Sequence, residues 1–140
     1  MIKCFIVFLL TNLGLRLPLP CKKSTSMNTD LLSWPNGVDF AITICDTAGT
    51  ILFMNEKSQK VFERWGGKEL IGKNLFDCHS ENSVRIIKEL IATGKSNTYT
   101  IEKNGVKKLI HQTPWYSNGR VAGMVEISIE TPKGMPHRVR

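Results

Sequence analysis

The chain has 140 residues, enough for one domain with a core of its own. Its formal net charge of +7 lies in the two ends: Lys3, Arg16, Lys22 and Lys23 at one, Lys133, Arg138 and Arg140 at the other. Residues 27–130 balance 12 basic against 12 acidic groups, which argues against nucleic acid as a partner, because such binders need a basic face on the folded part.

Four cysteines, Cys4, Cys21, Cys45 and Cys78, form no CxxC pair, so neither a disulfide framework nor a structural zinc site is expected. A reducing compartment, the cytoplasm, fits that usage.

Residues 1–26 open with Lys3 and an apolar run, CFIVFLLTNLGL, like the n- and h-regions of a signal segment. The run is shorter than the ~18–20 residues that span a bilayer, so no membrane span is expected. Leu-Pro-Leu-Pro before Cys21 offers neither a small-x-small cleavage pattern nor the small residue of a lipoprotein site. Two readings stand, a signal-like segment or an upstream start that precedes the true one at Met27, and the second is preferred. Residues 27–37 form a lead-in: Leu31, Leu32 and Trp34 make an apolar cluster, and Pro35-Asn36-Gly37 ends it. A short helix packing on a sheet is expected there.

From Val38 the pattern is that of a folded domain running to Glu130. Ala41–Cys45 reads as a strand, Asp46-Thr47-Ala48-Gly49 as a turn, and Thr50–Met54 as a second strand. Asn55 is suited to cap a helix with Glu56 in its first turn, and Val61, Phe62 and Trp65 fall on one helical face before Gly66-Gly67. One more turn, Lys68–Ile71, closes at Gly72. Ser80 or Ser83 caps the next helix, along which Val84, Ile87, Leu90 and Ile91 recur at helical spacing up to Gly94. The period then changes to two. Thr98–Glu102 and Val106–Tyr116 flank Lys103-Asn104-Gly105, a hairpin signal, and Ser117-Asn118-Gly119 leads into a last strand, Val121–Glu130. Val121, Val125, Ile127 and Ile129 share one face by alternation. Residues 131–140 read as a basic disordered tail. Two strands, a helical stretch and three strands pack most simply as an α+β domain, a five-stranded antiparallel sheet with helices on one face.

Asp46-x-x-Gly49-x-Ile51-x-x-x-Asn55, Glu69-Leu70-Ile71-Gly72-Lys73, the hairpin GKSNTYTIEKNGVKKLIHQ and the closing GRVAGMVEISIE together resemble a PAS domain over Val38 to Glu130. The resemblance implies a sensory module. Such domains bind a small ligand or cofactor between sheet and helices, signal through a protein partner or a homodimer, and are generally not enzymes. Within the family, Gly72-Lys-Asn-Leu-Phe-Asp-Cys78-His79 is similar to the PAS domains that accompany hemerythrin-like domains, except that Ser80 stands where proline is frequent. Flavin-binding relatives carry a cysteine directly after the asparagine of this segment. Here Asn74 is followed by Leu75, so flavin photochemistry is not expected. The photoactive yellow protein family holds a coumaroyl phenolate with a tyrosine and a glutamate. Met54 and Ser58 occupy those places, and a buried phenolate without donors is costly, so that chromophore is not expected either.

Met54, Cys78, His79, His111 and Trp115 are the candidate pocket or cofactor residues. A thiolate or imidazole can ligate haem iron, and a helix N-terminus can lower a thiol pKa, so Cys78 or His79 is the candidate for a haem- or redox-sensing alternative. The plain alternative for both is structural, as a small apolar side chain and a capping imidazole. His111 shares a face with Leu109, Thr113 and Trp115, and alternation leaves open whether that face points into the domain. Trp34, Trp65 and Trp115 are read as core or interface packing. No phosphate loop, paired-carboxylate site or zinc spacing is present, and His79 next to Cys78 is poorly placed as a base, so no catalytic activity is expected.

Overall fold

The computed structural model describes residues 32–140; the signal-like segment, the start at Met27 and Leu31 lie outside them. Five strands form one antiparallel sheet: β1 (Ala41–Asp46), β2 (Ile51–Met54), β3 (Asn97–Lys103), β4 (Val106–Ser117) and β5 (Arg120–Glu130). Their order is β2-β1-β5-β4-β3, so the last strand is the central one and joins the two hairpins. Between β2 and β3 lie two α-helices, α1 (Glu56–Val61) and α2 (Glu81–Thr93), and the 3-10 turns Glu63–Trp65, Gly67–Leu70 and Leu75–Cys78. This is the α+β, PAS-like arrangement expected from the chain.

Local chemistry sets the reversals. The Asp46 carboxylate accepts hydrogen bonds from the backbone N–H of Ala48 (2.9 Å) and of Thr50 (2.8 Å), which folds the β1–β2 turn onto one side chain. Asn104-Gly105 and Asn118-Gly119 both have two successive positive φ values, the mirror-image turn that matches the twist of a two-residue hairpin. Ser80 caps α2 by accepting from Ser83 N–H, and Gly94 ends it in the left-handed conformation.

The core forms where the inner face of the sheet meets the helices. Cys45, Ile51, Met54 and Met124 come from the strands, and Leu75, Ile87 and Leu90 from the helical side. Each fully buried aliphatic side chain contributes about 1.5–3 kcal/mol.

Asn55 has no solvent exposure and uses its whole amide. Its Oδ1 accepts from Ile42 N–H and Ser58 N–H, each at 2.9 Å, and its Nδ2 donates to the carbonyls of Pro35 and Phe40, each at 2.8 Å. One side chain therefore caps α1, pins β1 and holds the lead-in. In the described part of the lead-in, Leu32 is helical and a 3-10 turn, Trp34–Gly37, follows, anchored at α1 by these bonds and by Glu56 N–H donating to Asn36 Oδ1. Packing of Trp34 does not hold it, since that side chain is 55% exposed.

Two expected faces are corrected. The helix expected to carry Val61, Phe62 and Trp65 stops at Val61, because Phe62 leaves helical geometry (φ −102°, ψ 13°). Phe62 packs against the core, while Val61 and Trp65 are exposed, the indole lying 6.0 Å from the Phe62 ring. In β5, an extra residue is inserted where Trp115 pairs with Gly123 but Tyr116 with Val121. This bulge takes Val121 out of phase with Val125, Ile127 and Ile129, and sets it beside Gly94 at the end of α2.

Beyond β5, Thr131 still donates to the Lys107 carbonyl (2.9 Å), and residues 132–140 form no helix or strand. No helix among the described residues is long and apolar enough to cross a membrane.

Replacing Asn55 by alanine strands two buried N–H groups and two carbonyls at once. We predict that Asn55→Ala lowers the urea-unfolding free energy by at least about 3 kcal/mol. A loss below about 1 kcal/mol, the worth of one ordinary hydrogen bond, would contradict the role given to this side chain.

Candidate functional site

A cavity of about 370 Å³ lies between the sheet and the helical layer. Its sheet wall is Thr43, Cys45, Ile51, Met54, Met124 and Glu126. Phe62, Leu70, Leu75 and Ile87 close it from the other side. Sequence alternation builds the sheet wall: Thr43 pairs with Glu126 and Cys45 with Met124, so these four side chains share one face. Thr43 Oγ1 is 2.7 Å from Ser58 Oγ, which ties the wall to α1.

The mouth is formed by Lys73, Asn74, Asp77, Cys78 and His79. Backbone bonds to β2 hold this segment: Gly72 N–H donates to the Ile51 carbonyl (2.8 Å) and Ile51 N–H to the Lys73 carbonyl (2.9 Å). Asn74 donates to the Ala48 carbonyl (3.0 Å) and accepts from Phe76 N–H (2.9 Å). The segment thus covers the edge of the sheet and frames the opening.

Cys78 ends the turn Leu75–Cys78, three residues before the first residue of α2. Its thiol donates to the Leu75 carbonyl at 3.2 Å, not to or from the helix terminus. His79 Nδ1 lies 2.7 Å from the same carbonyl oxygen, which can only accept, so Nδ1 carries a proton and donates it there. The Cys78 sulfur is 3.4 Å from that protonated nitrogen. Nδ1 therefore cannot take the thiol proton, and the pair lacks the nucleophile–base arrangement of a thiol enzyme. Nε2 makes no hydrogen bond among the described residues. There, too, no three His, Cys, Asp or Glu side chains converge on a metal-sized site.

Of the residues singled out from the sequence, Met54, Cys78 and His79 meet at this cavity, Met54 deep in its wall and the other two exposed at its mouth. His111 and Trp115 do not join them. Gln112 faces α2, so its neighbour His111 has the outward of the two orientations left open, with Nδ1 2.7 Å from Thr98 Oγ1. Trp115 lies on that same outer face, where its indole N–H passes Gly123 to donate to the Cys45 carbonyl (2.9 Å). A Cβ at Gly123 would collide with that carbonyl oxygen and lie 2.6 Å from the indole nitrogen.

Glu126 and Thr43 are lining residues that sequence reading missed. The signal for Glu126 was present: an acid in the middle of an apolar strand, two residues from Met124 and so on the same face. Burial pushes the Cys45 thiol pKa above its ordinary value, and the charges of Asp46 and Glu126 add to the rise against a backbone hydrogen bond from Met124.

The family profile described as PAS fold matches residues 36–114, more than half of the chain. None of the curated proteins compared with the chain matches it. Among solved structures, a PAS domain of a Colwellia psychrerythraea protein is 18% identical, covers 76% of this chain and 98% of its own, and superposes with a TM-score of 0.57. A sensory box sensor histidine kinase of Vibrio cholerae is 17% identical over 74% of this chain and 91% of its own, at 0.54. The VqmA dimer of Vibrio cholerae, solved without its target DNA, is 15% identical and covers 76% of this chain and 52% of its own, at 0.60. These likenesses show the fold.

The two described cysteines differ in access, Cys45 buried and Cys78 exposed. A raised pKa leaves less thiolate at pH 8 and slows alkylation at Cys45 further. Peptide mapping after brief iodoacetamide treatment should find Cys78 modified in the native protein and Cys45 only after denaturant. Equal labelling of both in the native state would contradict this packing.

Proposed function

The chain belongs to the PAS family, and on that premise we propose that it is a sensory module whose cavity holds a small, largely apolar ligand and whose bound state is read by protein contacts. The observation that carries this reading is the cavity of about 370 Å³, walled by Ile51, Met54, Leu75, Ile87 and Met124. Ligand pockets run from about 300 to 1,000 Å³ and combine apolar walls with a few polar groups. Exposed Trp34 and Trp65 supply aromatic surface for a protein partner or a second copy. The even charge of residues 27–130 favours protein over nucleic acid, and the cysteine usage favours the cytoplasm. The module does no chemistry of its own on this reading. Its kinship to the PAS domains that accompany hemerythrin-like domains rests on the Gly72 to His79 spacing.

A second reading, haem sensing, is favoured by one observation. His79 Nδ1–H is held by Leu75, which leaves Nε2 at the mouth as the atom that would ligate iron. Cys78 is the other candidate ligand. Purified protein supplemented with haem should then show an intense violet-edge absorption band that His79→Ala or Cys78→Ala removes. A colourless wild-type protein ends this reading.

For the first reading, native mass spectrometry on protein from its own host should find a bound small molecule. A Leu70→Trp variant, which fills the cavity, should lose that molecule while keeping its far-ultraviolet circular dichroism and its cooperative thermal unfolding. Ligand at full occupancy in the filled variant, or no ligand together with no thermal shift across a broad metabolite panel, would contradict the proposal.

A further inference from the structure

We propose that the ligand is a small ammonium, an apolar body carrying a protonated amine, recognised by Glu126. This deepens the ligand-sensing reading and rests on it. β5 is the central strand, and Glu126 sits near the middle of its inner face, opposite Thr43 on one side and Gln112 on the other. Three hollows meet at this side chain. It lines the central cavity, a cleft against α2 with Tyr99 and Gln112, and a cleft beside Trp65.

The charges around the cavity are unevenly placed. Lys73 and Asp77 are exposed at the mouth, whereas Glu126 is half-buried on the apolar wall. Its Oε2 accepts one hydrogen bond, from Gln112 Nε2 at 2.8 Å, and its Oε1 takes none among the described residues. Gln112 is itself buried, and its own oxygen accepts from Asn97 Nδ2 at 3.3 Å, so the carboxylate is held from behind. A carboxylate offers about four acceptor sites, so most of this one's capacity is unused. No cation pairs with it among the described residues. Lys108, on the same face of the neighbouring strand, is taken by Glu130 at 3.3 Å.

Its charge is felt along the inner face on both flanks of β5. Burial raises the Tyr99 hydroxyl pKa, with Glu126 adding to the rise, and Glu126 also contributes at Cys45. A half-buried acid facing an apolar hollow with one donor is costly. A ligand ammonium would relieve that cost with a charge-assisted hydrogen bond, stronger than a neutral donor can make. An anionic ligand would meet the like charge.

Three probes of one shape test this: benzylamine, benzyl alcohol and benzoate, measured by isothermal titration against the full chain at neutral pH. Benzylamine should bind at least about ten-fold tighter than benzyl alcohol, as a charge-assisted bond implies, and benzoate weakest. Glu126→Gln, with circular dichroism unchanged, should remove the preference for the amine, and Asp77→Asn at the mouth should keep it. As a readout that needs no variant, the Glu126 side-chain carboxyl carbon resonance should shift with benzylamine and not with benzyl alcohol. Equal affinity for amine and alcohol, or a preference that survives Glu126→Gln, or an unmoved resonance, overturns the ammonium and leaves the ligand-sensing reading standing. Binding by none of the three overturns the ammonium and counts against that reading as well.

Discussion

The helical side of the sheet hangs on one amide. Asn55 sits where β2 ends and α1 begins, and its four hydrogen bonds reach β1, α1, Phe40 and the lead-in turn at Pro35. No other residue type supplies two donors and two acceptors in so short a side chain. A buried amide is favourable only when each of these is met, and here all are. The angle at which α1 leaves the sheet, and with it the position of Phe62 over the cavity, follows from that one fixed point.

The sheet separates two chemistries. On its inner face, Cys45, Met54 and Met124 pack with Ile87 and Leu75 but leave a hollow beside Thr43 and Glu126. On its outer face, Val125, Ile127 and Ile129 run past His111 and Trp115. Gly123 marks a crossing between the two, since only a residue without Cβ lets the Trp115 indole reach the Cys45 carbonyl. The bulge beside it then turns Val121 inward. The strand is continuous, so a displacement of Met124 or Glu126 on the inner face moves the backbone that carries Val125 and Ile127 on the outer one.

What could be read from the chain is what short-range chemistry decides. The Asp46 turn, the two Asn-Gly reversals, the Asn55 and Ser80 caps and the Gly94 stop each depend on a few adjacent residues, and each lies where the sequence puts it. The PAS pattern followed from their order. Long-range pairing was not legible. Period-two alternation groups His111 with Trp115 but cannot say that their face points away from the helices, because that depends on the insertion of β5 between β1 and β4. The bulge at Trp115 and Tyr116 breaks the alternation from which Val121 was placed. Met54, Cys78 and His79 converge on one cavity because strand order and the backbone bonds of Gly72 and Lys73 bring the mouth segment to β2. Glu126 was visible as an acid in an apolar strand, yet its position on the cavity wall needed the register with Thr43.

Methyl NMR distinguishes a ligand held between the sheet and the helices from one bound elsewhere. The small-molecule fraction of the host cell is titrated into protein labelled at methionine and isoleucine methyls. Met54, Met124, Ile51 and Ile87 should shift together at low ligand, while Ile127 and Ile129 on the far face move little. Shifts confined to Ile127 and Ile129, or no shift at any of these methyls, would contradict it.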